Sequence, residues 1–270
     1  MQENSTHLFE FDKSFGRIII GTDEAGRGPG AGGVFAAAVH FNDITDGLIK
    51  DLSILNDSKK LTPKKRDSIY DVIKNNTINK IVCVEVPEIE TLNILNASLR
   101  AMNLACTGVN NELKTLSPSP LEGGATHVDS FTVLGQAPSP IEGGATHVDS
   151  FAVLGQAPSP LEGEGWGEGL KNTLTLVDGN KLIKNYPYPQ QYIIKGDSKS
   201  ASIAAASILA KVTRDRYMEK LDEEFPMYNW RKNAGYLTAE HLSAIDKYGL
   251  SPYHRPSFLK KHLVKSGIEI

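Results

Sequence analysis

Between residues 117 and 169 the sequence repeats itself with a period of 20, and this stretch constrains everything around it. Ser119-Pro120-Leu121-Glu122-Gly123-Gly124-Ala125-Thr126-His127-Val128-Asp129-Ser130-Phe131 returns from Ser139 with isoleucine in place of leucine, and a third, truncated copy begins at Ser159. Two and a half copies are too few to stack into a core of their own. Ten glycines and six prolines among these 53 residues, with no amphipathic period, fit an open, disordered insertion. His127 with Asp129, and His147 with Asp149, make a metal-binding tract conceivable, but duplication accounts for their recurrence. A fold therefore has to be assembled from the sequence before and after the array. Loop-closure cost grows only slowly with length, so such an insertion is tolerable.

The array also hides the charge of the remainder. It contains no Lys or Arg and seven of the 32 acidic residues, so the formal net charge of −3 becomes +4 without it. A mildly basic body is compatible with a polyanionic partner. An apolar content of 40% is ample for a buried core, and no stretch approaches the length of a membrane span. The N-terminal residues lack the basic and apolar regions of a secretory signal. Cys83 and Cys106 both stand in apolar surroundings, which fits small buried side chains in a reducing, cytoplasmic setting.

Outside the array the pattern alternates between strands and helices. Strands are expected over 17–23, 33–41, 81–86, 173–177 and 192–195. Helices are expected over 61–75, with Thr62 as cap and Pro63 at the first position, and over 93–113, 200–224 and 238–248. This order argues for an α/β fold built on a mixed sheet.

Acids stand where the strands end. Ile18-Ile19-Ile20-Gly21-Thr22 leads into Asp23-Glu24, Leu174-Thr175-Leu176-Val177 into Asp178, and Tyr192-Ile193-Ile194-Lys195-Gly196 into Asp197. Singly, Asp178 and Asp197 read as turn residues. Jointly, three apolar segments deliver acids to one edge of a sheet, where open α/β sheets build their sites. Paired carboxylates at a buried strand end repel each other and are costly to desolvate, and a hard divalent cation removes both penalties. Four of them could hold two cations about 4 Å apart, the arrangement that clamps a phosphodiester under in-line attack. Gly26-Arg27-Gly28 adds a close backbone approach and a planar cationic fork. Gly28-Pro29-Gly30-Ala31-Gly32-Gly33 also fits the dinucleotide fingerprint, but a strand, not a helix, is expected to follow it.

These segments carry a family resemblance. Gly-Thr-Asp-Glu-Ala-Gly-Arg-Gly-Pro from Gly21, Leu-Asn-Asp-Ser-Lys-Lys-Leu from Leu55, Asn-Ile-Leu-Asn-Ala-Ser from Asn93 and Val-Asp-Gly-Asn-Lys from Val177 occur in this order. Lys-Gly-Asp-Ser-Lys-Ser from Lys195, Ser-Ile-Ala-Ala-Ala-Ser-Ile-Leu-Ala-Lys-Val-Thr-Arg-Asp-Arg from Ser202 and Ser-Pro-Tyr-His-Arg-Pro-Ser-Phe from Ser251 complete the set. The chain resembles ribonuclease HII over about 16–116 and 170–258.

The resemblance implies a single catalytic domain over 16–258, with an RNase H-like mixed sheet flanked by helices, a C-terminal helical region and the 117–169 insertion inside it. It implies Mg²⁺- or Mn²⁺-dependent hydrolysis of RNA, or of a lone ribonucleotide, within a DNA duplex, leaving 3′-hydroxyl and 5′-phosphate ends, as in ribonucleotide excision repair. Asp23, Glu24, Asp178 and Asp197 match the catalytic metal ligands. Gly26, Arg27 and Gly28 match the loop that senses the 2′-hydroxyl, Tyr236 the tyrosine that stacks on the following sugar, and Ser58, Lys59 and Lys60 a phosphate-contacting stretch. A monomer is the default, and a non-catalytic hybrid-binding homologue disabled by the insertion is the competing reading.

Two departures stand out. The family has Gly-Tyr-Gly-Thr, preceded by His-Lys, where this chain has Gly235-Tyr236-Leu237-Thr238, preceded by Asn233-Ala234. If the lost glycine needed positive φ, Leu237 would strain the loop by roughly 1–2 kcal/mol. The array enters before the strand that carries Asp178, so one of its ends is expected near a catalytic element, with seven acids that would weaken binding to a duplex.

Overall fold

The computed structural model describes residues 5–116 and 172–267; the array, and with it the expected disordered insertion, lies outside the described residues. Five strands form one sheet: β1 (Ile18–Ala25), β2 (Val34–Phe41), β3 (Thr77–Val84), β4 (Thr173–Asp178) and β5 (Gln190–Ile193), in the spatial order β3-β2-β1-β4-β5. The pairs β1–β2 and β2–β3 are antiparallel, whereas β1–β4 and β4–β5 are parallel. The sheet is therefore mixed, as the alternation of elements predicts. Its parallel half brings two of the expected site acids together. In parallel strands the carboxyl ends share one edge, and the register Thr22↔Val177 sets Asp23 beside Asp178 at the next step.

Nine helices are described: α1 (Thr6–Lys13), α2 (Asp46–Asp51), α3 (Pro63–Asn75), α4 (Val86–Leu92), α5 (Ile94–Leu116), α6 (Ala201–Glu224), α7 (Trp230–Asn233), α8 (Ala239–Tyr248) and α9 (Pro256–Ser266). One face of the sheet packs on α5, through Ala97, Ala101, Met102, Ala105 and Val109 against Ile20, Val34, Val82 and Val177. The other packs on α1, α3 and α6, with Leu8, Ile69, Ile73, Ala204, Ala205 and Ile208 against Ala37, Val39 and Phe41. Both faces of β1 are covered, and its middle residues are all buried. Small side chains at the start of α6 bring its backbone onto β1: a β-carbon on Gly21 would lie 2.2 Å from the carbonyl carbon of Ser202. A third cluster around the fully buried Trp230 joins α6 to α8 and α9.

Local chemistry explains the boundaries. Thr62 caps α3 by accepting from the Lys65 N–H (3.4 Å), with Pro63 in the first turn, as the sequence predicts. The start of α6 is capped twice, by Ser200 Oγ accepting from Ile203 N–H (3.2 Å) and by Asp12 accepting from Ser202 N–H (2.8 Å). Asp12 belongs to α1, which the sequence reading leaves as a tail. Together with the buried Leu259 and Leu263 of α9, α1 extends the fold past the expected 16–258 limits at both ends.

Other expectations shift. The third strand runs over Thr77–Val84, not 81–86, because Asn79 and Lys80 interrupt its apolar pattern and Pro87 opens α4 directly after it. The fifth runs over Gln190–Ile193, not 192–195, since Lys195 turns left-handed at φ 56°. Cys106 is buried, but Cys83 is only half-buried and faces the Glu85 carboxylate, its Sγ donating at 3.3 Å.

Candidate active site

Asp23 and Glu24 lie inside β1, two and one residues before its end, and point to opposite sides by strand alternation. Asp178 is the last residue of β4. Asp197 does not end a strand as expected; it sits in a 3₁₀ turn, Gly196–Ser198, four residues after β5. That turn packs back on β4, because the Gly196 N–H donates to Asp178 Oδ1 at 2.7 Å. A β-carbon on Gly196 would meet that same oxygen at 3.1 Å.

The electrostatics join these acids into one cluster. Asp23 is 7% exposed, and its carboxyl is held well above the usual carboxylate range by burial and then by the charges of Glu24 and Asp178. Glu24 is also raised by burial, against the pull of Arg27, whose Nη1 lies 3.1 Å from Glu24 Oε1. Asp197 is pushed up to about 6 by burial, then by Asp178 and Asp57. Asp57, which precedes the 58–60 turn and is not among the expected site residues, shares a hydrogen bond with Asp197. Lys59 faces Glu24 and Asp197 and lowers both.

Among the described residues, no three His, Cys, Asp or Glu side chains are drawn close enough to share an ion. Each acid instead takes a local partner: Asp23 Oδ1 accepts from the Glu24 N–H (2.7 Å), Asp178 from Gly196 and Glu24 from Arg27. Like charges at one sheet edge hold themselves apart in this way. Their chemistry suits a hard cation, since buried oxygen donors of one sign are what such an ion neutralises.

The 58–60 turn lies against α6. Ser207 Oγ lies 2.8 Å from Ser58 Oγ and also hydrogen-bonds Asp23, so one α6 hydroxyl links this turn to the acids. Arg66 fixes the turn from below through the Ser58 and Leu61 carbonyls, at 2.9 and 2.8 Å. Lys59 and Lys60 are exposed.

The glycine loop and Tyr236 meet. Gly26 has φ +99°, and a β-carbon there would collide with Arg214 Nε at 2.2 Å. The Tyr236 ring lies on Gly28, where a β-carbon would stand 3.3 Å from Tyr236 Cε1. The ring is otherwise open, at 52% exposure. Leu237 is not at positive φ, so the strain that would follow from such a backbone does not arise there; the left-handed positions are Ala234 (φ +49°) and Gly235 (φ +80°), which tolerates it. Leu237 packs on Gly30, within 2.5 Å of where a β-carbon would be. A glycine in place of Leu237 would leave that contact unfilled.

Two arginines missed by the sequence reading hold this loop. Arg214 and Arg255 are fully buried and reach backbone carbonyls: Arg214 those of Ala31, Gly33 and Ala234 (3.1, 3.3 and 3.1 Å), Arg255 those of Pro29 and Gly32 (2.9 and 2.6 Å). Burial lowers both, Arg255 to about 10, and a guanidinium keeps its charge in proteins. Carbonyl dipoles replace an acidic partner in satisfying each cation. The backbone of residues 29–33 is therefore not a dinucleotide cradle, and β2 follows it, not a helix.

The array leads back into β4, the strand that carries Asp178, but at the end of that strand away from the acid. Thr173 at the start of β4 donates to Asn110 of α5 (3.5 Å), so the chain re-enters the fold beside α5. Asp178 lies at the opposite end of β4, about 16 Å away at the rise of a strand.

Comparison with known proteins bears on this geometry. The profile of the family Ribonuclease HII matches residues 20–144 and 167–262. Ribonuclease HII of Fusobacterium nucleatum subsp. nucleatum is 37% identical over 264 residues, covering 97% of this chain and 94% of its own. That of Rickettsia akari is 36% identical over 255 residues, covering 93% and 96%. Among solved structures, ribonuclease H2 of Pyrococcus horikoshii OT3 shares the fold with a TM-score of 0.58 at 19% identity, covering 93% of this chain and 99% of its own. Bst-RNase HIII in complex with Mn²⁺ does so at 0.56 and 15%, covering 98% and 73%. A profile match on both sides of the array, and relatives more than a third identical along almost their whole length, mean that this chain belongs to the ribonuclease HII family and is an endoribonuclease of the RNase H type.

Proposed function

We propose that Asp23, Glu24, Asp178 and Asp197 are the catalytic and metal-binding residues with which this endonuclease cuts RNA in RNA–DNA hybrids. The observation that carries this reading is the electrostatic coupling of the four acids at the carboxyl edge of parallel β1 and β4. Such buried donors, three of them holding protons too tightly for their type, are the set a divalent cation would neutralise. When bound, Mg²⁺ or Mn²⁺ supplies charge stabilisation for the phosphodiester and lowers the pKa of an attacking water. The neighbouring Bst-RNase HIII structure is a complex with Mn²⁺, an ion of this class.

The remaining residues position the substrate. Arg27 pairs with Glu24 between Gly26 and Gly28, and glycine backbone there can reach a 2′-hydroxyl, which distinguishes RNA from DNA at one nucleotide. Tyr236, exposed on one face and supported by Gly28 on the other, offers a stacking surface for the adjoining sugar. Ser58, Lys59 and Lys60 provide hydroxyl and ammonium groups for the phosphate beside the cut.

The folded body is one catalytic domain interrupted by the array, acting as a monomer in the cytoplasm on hybrids and on duplex DNA containing a ribonucleotide. Among the described residues no helix is long and apolar enough to cross a membrane. The acids, their coupling and the intact sheet edge favour catalysis over a disabled hybrid-binding homologue. The test is cleavage of a DNA duplex carrying one ribonucleotide. Mg²⁺-dependent nicking that leaves 3′-hydroxyl and 5′-phosphate ends is expected, and binding without nicking in either Mg²⁺ or Mn²⁺ would favour the disabled homologue.

A further inference from the structure

A buried pair of histidines lies beneath Tyr236, outside the acid cluster. His241 (α8) and His254 are 0% and 2% exposed, and their Nε2 atoms are 3.0 Å apart. Tyr228 and Trp230 enclose them, the Tyr228 ring centre lying 4.6 Å from that of His254.

The donors around the pair leave one arrangement of protons. The backbone N–H of Ser251 donates to His254 Nδ1 (2.8 Å), so that nitrogen presents a lone pair. The neutral His254 ring then carries its proton on Nε2 and donates it to His241 Nε2. His241 Nε2 also accepts from the indole N–H of Trp230 (3.0 Å), a group that can only donate. Two donors on one nitrogen exclude a proton there. The His241 proton therefore sits on Nδ1, which donates to the Tyr236 carbonyl oxygen at 2.9 Å.

That bond reaches the backbone of the residue whose ring lies on Gly28. The other contacts there are local: Tyr236 N–H to the Asn233 carbonyl (2.9 Å) and Thr238 N–H to the Tyr236 carbonyl (2.8 Å). The neighbouring Gly235 carbonyl accepts from the Gly30 N–H (2.9 Å), which ties the stretch to the glycine loop. His241 thus links the Tyr236 backbone to the buried rings of Trp230 and His254.

We propose that His241 is a positioning residue for substrate discrimination, its Nδ1–H holding the Tyr236 backbone so that the ring stays seated on Gly28. The inference rests on Tyr236 being the sugar-stacking residue. It concerns the ratio of kcat/KM for a duplex with one ribonucleotide to kcat/KM for a hybrid with a continuous RNA strand.

Asparagine and glutamine separate the two nitrogens of His241. The amide nitrogen of Asn falls near Nδ1 and keeps a donor for the Tyr236 carbonyl, whereas Gln places its amide near Nε2 and loses that donor. In the full-length protein with Mg²⁺, His241→Asn is expected to keep the ratio within about twofold. His241→Gln is expected to lower it about fivefold or more, the effect of one hydrogen bond, toward the ratio of Tyr236→Ala. A wild-type ratio in His241→Gln, with a lowered ratio in Tyr236→Ala, would overturn the role of His241 and leave that of Tyr236. An unchanged ratio in Tyr236→Ala would overturn both. Should either His241 variant fail to fold, ¹⁵N NMR of the wild-type imidazoles decides: a proton on His241 Nδ1 supports the inference, and one on Nε2 overturns it.

Discussion

Removing an acid from the site should stabilise the protein when no cation is present. Asp197 is the clearest case, because its carboxyl is raised from the ordinary 3.8 to about 6 by burial and by Asp178 and Asp57. A carboxyl with a raised folded-state pKa holds its proton more tightly in the native than in the unfolded chain. The native state therefore loses relative stability as pH rises from 3.8 to about 6, and the full deficit persists above that. At about 1.4 kcal/mol for each tenfold change in proton affinity, the upper bound is about 3 kcal/mol. The burial of Asp197 is incomplete and Lys59 offsets part of the repulsion, which reduces this to about 1–2 kcal/mol. Asp197→Asn keeps the shape and lets an amide donate to Asp57, which replaces a repulsion with a hydrogen bond. Melting curves in EDTA at pH 7.5 should show the variant higher by about 2–8 °C, at about 2–4 °C per kcal/mol for a domain of this size. The difference should close near pH 4. Mg²⁺ should raise the wild type more than the variant, reversing the order at saturation. A variant no more stable than wild type at pH 7.5 in EDTA would refute the claim that this carboxylate is held under repulsion.

Two further outcomes follow from the loops. Ala234 carries a β-carbon at φ +49°, so Ala234→Gly should stabilise the protein by roughly 1 kcal/mol in thermal or urea unfolding, and a loss of stability would contradict the strain. Deleting residues 117–169 should leave folding and nicking intact, since Asn110 and Thr173 already bring the flanking elements together, and the change from −3 to +4 should tighten duplex binding most at low salt. Unfolding or loss of nicking would show that the array is part of the working structure.

The fold was legible where period and punctuation agreed. Thr62-Pro63 marks the start of α3, and the β-branched run before Asp23 marks the central strand. The edge strand β3 was harder to place, because its exposed face alternates polar residues that read as a loop. α1 was missed because it is only eight residues long and its worth comes from burying Leu8 and Phe9 and lending Asp12 to α6, a partner about 190 residues away. The acids could be read as a set, since each follows an apolar run. Their coupling could not, because it depends on β1 and β4 being parallel in one register. Likewise Arg214 and Arg255 act on backbone carbonyls distant in sequence, and His241, which reaches a carbonyl only five residues back, has its proton placed by Trp230 and His254 from other segments, so no local pattern marks these contacts. Whether Leu237 would be strained could not be read from residue type, because φ is set by the turn, which places its left-handed positions at 234 and 235.

The central claim is that the carboxylates at the sheet edge hold the cations that cleave RNA, and Asp23 stands in their midst, buried beside Glu24 and Asp178. The most direct measurement compares wild type and Asp23→Asn on a duplex with one ribonucleotide, reading nicking in Mg²⁺ and binding in EDTA. The amide keeps the shape but not the charge. Nicking should fall by roughly two orders of magnitude or more, the several kcal/mol of charge stabilisation that metal ions supply, while binding stays within a few-fold of wild type. Near-normal turnover by Asp23→Asn in Mg²⁺ would contradict the account.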